Sequence, residues 1–248
     1  MSSKNTIFDQ ENINKEVIGV VGGFGSYATL HFFNRLLSAF PAEKEWDRPR
    51  ILIDNYCTLP SRVRCILYDE HREKIIQGLT SSVQNLINAG ATKIIITCNT
   101  AHFFLNDVYD NIPGSKNIII DIIKELAIEL KKDNIKEISL IATEGTILSK
   151  IYDNTFEKYG IKINSPSNEE FFKMRDLIEV VKQNKEISNN VKKDFINLLK
   201  EQKNKSVILG CTEFPVLFDY IKEDISDLEI YDPLEVAIWR LKENDTEN

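Results

Sequence analysis

Short runs of continuous apolar residues alternate along the chain with longer stretches whose apolar positions recur every three or four residues. The runs fall at 17–22 (VIGVVG), 50–55 (RILIDN), 93–98 (KIIITC), 117–121 (NIIID), 137–143 (EISLIAT), 161–164 (IKIN), 206–211 (SVILGC) and 229–232 (EIYD). Their length and β-branched content predict strands buried on both faces. The intervening segments, such as REKIIQGLTSSVQNLINAG and FINLLKEQKN, carry helical spacing. Strands alternating with helices imply an α/β fold built on mostly parallel sheet flanked by helices. No low-complexity linker breaks the pattern, and the Lys/Asn/Glu-rich tract 182–205 reads as a solvated helical face.

The pattern also repeats. GVVGGFGSYAT (19–29) aligns with SLIATEGTILS (139–149), which pairs Gly25 with Gly145. IIITCNTAHFF (94–104) aligns with VILGCTEFPVL (207–217), pairing Cys98 with Cys211, and IIIDIIKELA aligns with EIYDPLEVAI, pairing Asp121 with Asp232. Two similar, pseudo-symmetric α/β lobes follow, each contributing one cysteine at a strand end. Their expected extents are residues 15–115 with 224–248, and residues 116–223. Ligands of open parallel sheets sit beyond the carboxyl ends of the strands. Lobes facing one another across those ends would place both thiols in one cleft.

Composition narrows the classes. Hydrophobic residues make up 42% of the chain and charged residues 28%, the balance of an ordinary globular protein. A net charge of −7 argues against nucleic acid or an anionic membrane as partner. It also requires a local cation in any site that takes an acidic ligand. No apolar run approaches the roughly 18 residues of a membrane span, and the opening MSSKNTIFDQENINKE lacks the apolar centre of a signal peptide. Cys57, Cys65, Cys98 and Cys211 show no metal-type spacing. They are expected to be reduced thiols in a cytoplasmic protein.

A single buried cysteine is ordinarily a small apolar filler. Two at matched points of a repeat are not expected to coincide by packing alone. Each precedes a helical pattern, where peptide dipoles favour the thiolate. CNT and CTE then supply amides and hydroxyls suited to a carboxylate. Inversion of a carbon centre needs a base on one face and an acid on the other, and a thiolate and a thiol can exchange those roles. A redox disulfide, the competing use, needs sulfurs about 2 Å apart and leaves no room for a ligand.

The stretch GGFGSYA formally matches a dinucleotide fingerprint. The acidic residue that should follow about 20 positions on is out of place, since Asp54 lies 29 residues after Gly25. A loop that brings Gly23, Gly25 and Ser26 close to a small anion is the favoured reading, with Thr143 of TEGT in the matching position. Arg62 in CTLPSRVR can hold a carboxylate bidentately. A surface arginine is the plainer alternative, and Arg64 and Arg72 compete for the role. His102, four residues after Cys98, either polarises that thiol or is bonded within its helix. His31 and His71 have no partner spacing, Cys57 and Cys65 read as packing residues, and Asp121 and Asp232 are expected helix caps.

Taken in order, IGVVGGFGSYAT, LPSR, CNTAH, ATEGT, GCTE and DPLE, over about residues 17–240, resemble the aspartate/glutamate racemase superfamily and most of all its aspartate racemase branch. The resemblance implies two Rossmann-like lobes about a pseudo-twofold axis, an active site between them, and members that are commonly homodimers. It implies racemisation of an acidic amino acid without pyridoxal phosphate, metal or nucleotide. It places the catalytic thiols on Cys98 and Cys211, substrate-carboxylate contacts on Asn99, Thr100, Thr212 and Glu213, the side-chain carboxylate on Arg62, and a second cationic contact on Lys173. The chain departs from the family pattern at Phe24, Ser26, Ser61 and Cys57, positions that bear on the substrate side chain rather than on the thiols. Interconversion of L- and D-aspartate is the expected activity. Glutamate or hydantoin racemisation and dicarboxylate cis–trans isomerisation are alternatives on the same fold. A Cys98/His102 thiol hydrolase and a non-catalytic dicarboxylate-binding module are alternatives of other classes.

Overall fold

A computed structural model describes residues 16–245, with side chains to residue 242. The opening segment 1–15 and the outermost positions of the expected first lobe, residues 15 and 246–248, lie outside the described residues. Each apolar run forms a strand: β1 (Val17–Gly22), β2 (Arg50–Asn55), β3 (Lys93–Ile96), β4 (Ile119–Ile120), β5 (Glu137–Ala142), β6 (Lys162–Asn164), β7 (Ser206–Gly210) and β8 (Glu229–Tyr231). β3 stops short of the predicted 98 because the Cys98 amide turns back to the Ile96 carbonyl at 2.8 Å. That turn ends the ladder just before the thiol.

The strands form two four-stranded sheets, ordered β2-β1-β3-β4 and β6-β5-β7-β8, with every pairing parallel. The identical order is the structural form of the sequence repeat, with β1 equivalent to β5 and β3 to β7. The helices are α1 (Ser26–Ala39), α2 (Arg62–Tyr68), α3 (Arg72–Asn88), α4 (Leu105–Asn111), α5 (Ile122–Lys132), α6 (Glu144–Leu148), α7 (Ile151–Phe156), α8 (Asn168–Lys182), α9 (Asn189–Lys200), α10 (Phe214–Phe218) and α11 (Pro233–Asp245). Asp121 caps α5 through the Ile123 and Lys124 amides, and Asp232 accepts from the Leu234 amide at the start of α11. The tract 182–205 is more than a solvated face, because α9 buries Phe195, Leu198 and Leu199 completely.

Two strands fall on the other side of the expected lobe boundary. Ile119–Ile120, placed above in the second lobe, pairs with Ile94–Ile95 of β3 in the first sheet. Glu229–Tyr231, placed in the first lobe, pairs with Ser206–Ile208 of β7 in the second. Each completes the free edge of the strand that carries the thiol.

Alternation along β3 sends Ile95 to one face and Ile94 and Ile96 to the other. Ile94 and Ile96 join Val21, Leu79 and Val83 beneath α3 and α4. Ile95 joins Ile18, Phe32 and Leu36 in an apolar cluster that runs on through α5, α11, β5, β7 and α8–α10. The halves are therefore held together by a shared core. Among the described residues no helix is long and apolar enough to cross a membrane.

Candidate active site

Cys98 and Cys211 lie just beyond the ends of the equivalent strands β3 and β7, and both are buried. The loops that follow these strands meet the opposite half crosswise. Thr100, two residues after Cys98, places its Oγ1 3.0 Å from Thr143 Oγ1 and 2.8 Å from Thr146 Oγ1 beyond β5. Glu213, two residues after Cys211, presses its carboxylate against Gly25 beyond β1. Gly25 has an extended backbone (φ −168°) that any residue adopts, so its lack of a side chain answers to Glu213, whose Oε1 a methyl group would overlap. The two contacts are related by the repeat. The carboxyl ends of the two sheets thus face one seam, and the thiols approach it from different apolar clusters.

Cys211 Sγ donates to Glu213 Oε2 at 2.9 Å, and Thr212 Oγ1 donates to the same oxygen at 3.3 Å. Glu213 Oε1 is buried without a partner. Burial pushes the Cys211 thiol well above its ordinary pKa, the Glu213 carboxylate pushes it further, and the Lys182 ammonium opposes both. Cys211 therefore rests as a neutral thiol.

Around Cys98 the polar groups are differently arranged. Its carbonyl accepts from His102 Nδ1 at 2.8 Å. Burial holds the His102 imidazole below its ordinary pKa, against the raising effect of Asp121. The ring is thus a neutral, helix-bonded histidine whose proton is directed at the backbone, which is not the arrangement of a Cys–His hydrolase pair. Asn99 accepts a 2.6 Å hydrogen bond on Oδ1 from the fully buried Tyr152 hydroxyl, and its Nδ2 has no partner.

The glycine loop is shaped by close backbone contact. Gly23 has φ +87°, in the region that favours glycine, and a Cβ there would stand 2.6 Å from the Tyr56 and Cys57 amide nitrogens. Ser26 is exposed and accepts from Asn55 Nδ2 at 3.1 Å. Arg62, the first residue of α2, donates from Nη1 to the Pro60 carbonyl at 2.9 Å and from Nη2 to the Phe24 carbonyl at 3.2 Å. Its guanidinium stacks over the Phe24 ring at 4.6 Å. Arg62 Nε is buried without a partner, and the residue forms no ion pair among the described residues. Its competitors are committed elsewhere, Arg64 to Glu70 and Arg72 to Asp107.

Lys173 is not near this seam by any contact the structure shows: it pairs with Glu201 at 3.1 Å on a half-exposed surface between α8 and α9. The cation whose charge reaches Cys211 is Lys182, nine residues later in the same helix. Lys182 lines a cavity of about 330 Å³ together with Ser61, Val63, Met174 and Thr143. Neither thiol lines that cavity. Thr143 links it to the Cys98 loop and Lys182 links it electrostatically to Cys211. Thr146 and Tyr152 are further site residues that the sequence reading left out. Tyr152, bonded to Asn99, is also within electrostatic reach of Cys211, so one side chain bridges the surroundings of both thiols. Cys57, expected to pack, is exposed, whereas Cys65 is buried as expected. His31 pairs with Asp219 at 2.7 Å.

A family model described as Asp/Glu/Hydantoin racemase matches residues 21–241. The glutamate racemase of Clostridium perfringens (strain 13 / Type A) is 28% identical over 192 residues, which covers 73% of this chain and 70% of that protein. The structure of Picrophilus torridus aspartate racemase superposes with a TM-score of 0.78 at 24% identity, over 93% of this chain and 94% of that one. A glutamate racemase isoform from Bacillus anthracis superposes with a TM-score of 0.64 at 20% identity, over 94% and 82%. At these identities the superpositions show a common fold.

Proposed function

The chain belongs to the Asp/Glu/hydantoin racemase family, and from that premise we propose that it is a cofactor-independent racemase acting on aspartate, with Cys98 and Cys211 as the acid–base pair. The observation that supports this reading is the crossed contact of the two strand-end loops, Thr100 against Thr143 and Glu213 against Gly25, each made two residues beyond one of the equivalent thiols. In the resting state Cys211 holds its proton and acts as the acid, and Cys98 acts as the base. The Cys98 thiolate takes the Cα proton and the electron pair of that bond delocalises into the α-carboxylate. Cys211 then delivers its proton to the opposite face of Cα. The sulfurs end the turnover with their protonation exchanged, ready for the opposite enantiomer.

Charge that develops on the α-carboxylate needs fixed donors in a water-poor site. The unpaired Asn99 Nδ2 and the hydroxyls of Thr100 and Thr143 meet that need. Glu213 takes a different part from the carboxylate contact implied by resemblance: a buried carboxylate attracts the α-ammonium and repels an acid. Arg62, which forms no ion pair among the described residues and lies beside the glycine loop, receives the side-chain carboxylate. Lys182 takes the place assigned above to Lys173. The Arg62 guanidinium is held in place by stacking on Phe24 and by its bond to the Pro60 carbonyl.

A longer substrate is the second reading, favoured by the name of the Clostridium perfringens relative, a glutamate racemase. Incubation with L-aspartate in D₂O, followed by NMR of the α-proton and chiral chromatography, decides the matter, with glutamate run in parallel. Deuterium wash-in with appearance of D-aspartate supports the proposal. Exchange on glutamate alone moves the substrate. Binding of aspartate with no exchange on either amino acid makes the protein a dicarboxylate-binding module and ends the racemase reading.

A further inference from the structure

The Asn99 side chain is buried with its two ends treated unequally. Its Oδ1 accepts a 2.6 Å hydrogen bond from Tyr152, while Nδ2 has no partner among the described residues. A buried donor left unpaired is destabilising and rare in folded proteins. It is expected where a ligand completes the set. Asn99 follows Cys98 directly and belongs to the first half, whereas Tyr152 lies in α7 of the second. The hydrogen bond therefore joins the halves at the candidate site.

We propose that Tyr152 is a positioning residue for Asn99: its hydroxyl occupies the amide oxygen and so leaves the amide nitrogen as the unpaired buried donor that receives the substrate α-carboxylate. The proposal rests on the racemase reading for the identity of that carboxylate, but the orientation of the amide does not. An Asn side chain presents either an acceptor or a donor according to its flip, and only the second suits an anion. Tyr152 is suited to the task because burial, reinforced by Asp232 and Asp121, keeps its phenol protonated and therefore able to donate.

The pair exists on one side only. Tyr152 lies seven residues after Gly145, and the same step from Gly25 reaches Phe32, which is buried in α1. Asn99 corresponds to Thr212, which donates its hydroxyl to Glu213 instead. The Cys98 half thus carries an oriented amide that the Cys211 half lacks. Phe32 shows that a phenyl ring fits the equivalent place in a packed core.

Tyr152→Phe deletes only the hydroxyl. We expect kcat/KM for L-aspartate to fall about tenfold, the scale of one weakened hydrogen bond to the substrate carboxylate, with a modest fall in melting temperature because Asn99 Oδ1 loses its buried partner. In an Asn99→Ala background the same change adds less than about twofold, because residues acting through one another are non-additive. Succinate, which has two carboxylates but no amino group and no stereocentre to invert, gives a readout separate from racemisation. Calorimetry should show its affinity falling about tenfold in Tyr152→Phe and more in Asn99→Asp, which keeps an acceptor for Tyr152 but removes the donor. A wild-type protein that binds no succinate, equal affinity in Asn99→Asp, or additive losses in the double variant overturn the proposal. Absence of Cα exchange in the wild type together with the expected succinate pattern sinks the racemase reading and leaves the role of Tyr152 standing.

Discussion

The Cα of Gly25 and the carboxylate of Glu213 occupy adjoining space across the two halves, and no side chain fits between them. Because the Gly25 backbone is extended, alanine there brings no conformational strain and acts only by displacing Glu213. Gly25→Ala should lower kcat/KM by about tenfold or more, the scale of overpacking at a tight contact. Glu213→Ala carrying the same change should be no worse than Glu213→Ala alone. Steady-state kinetics on the three variants checks this, and a further large loss in the double variant would place the damage elsewhere.

The pH behaviour of Cys211 follows from its surroundings. Burial and then Glu213 raise its pKa, so the thiolate appears only as pH rises beyond the usual cysteine range. Glu213→Gln keeps the shape and the burial but removes the negative charge, and should move the titration down. Lys182→Met removes the opposing charge and should move it up. Iodoacetamide alkylation followed peptide by peptide across pH reads the midpoint at Cys211 directly. Equal midpoints in all three proteins would contradict this electrostatic account.

Cys211→Ala separates the two-thiol chemistry from single-thiol chemistry. Loss of one partner in general acid–base catalysis reduces rate by about 10²–10⁴-fold, and racemisation should fall by at least that in both directions. A hydrolase built on Cys98 and His102 would be indifferent to the change. The geometry at His102, whose proton goes to the Cys98 carbonyl, predicts sensitivity.

Arg62→Lys should raise KM for aspartate by about tenfold, since an ammonium lacks the planar fork that grips a carboxylate bidentately. It should also lose the stacking on Phe24. Arg64→Ala, which removes a residue already paired with Glu70, should stay within about twofold of the wild type. Comparable losses in the two variants would remove Arg62 from the substrate site.

Much of this architecture is legible in the residues. The apolar runs mark the strands, and the pairing of Cys98 with Cys211 and of Gly25 with Gly145 anticipates two sheets of one order. The lobe boundary is not legible, because a two-residue strand such as Ile119–Ile120 is assigned by its neighbour Ile94 and not by its own composition. Lys182 is concealed at the head of a charged tract that resembles a solvated surface, while Lys173 stands closer to the expected place and pairs with Glu201. Tyr152 sits at helical spacing among apolar residues and looks like core, which it is, apart from one oxygen atom. The closeness of Glu213 to Gly25 is a relation between distant segments, and local pattern carries no trace of it.

Thr100 and Glu213 stand at corresponding points of the repeat, one a hydroxyl and the other a carboxylate, so the two sulfurs have unlike neighbours. Mirror-image amino acids have the same free energy in an achiral solvent. Detailed balance therefore obliges a racemase to show equal kcat/KM for L and D, however lopsided its interior. The inequality between these neighbours must express itself by setting apart the two kcat values, with each KM drifting in step, and any substitution at Glu213 must preserve that parity.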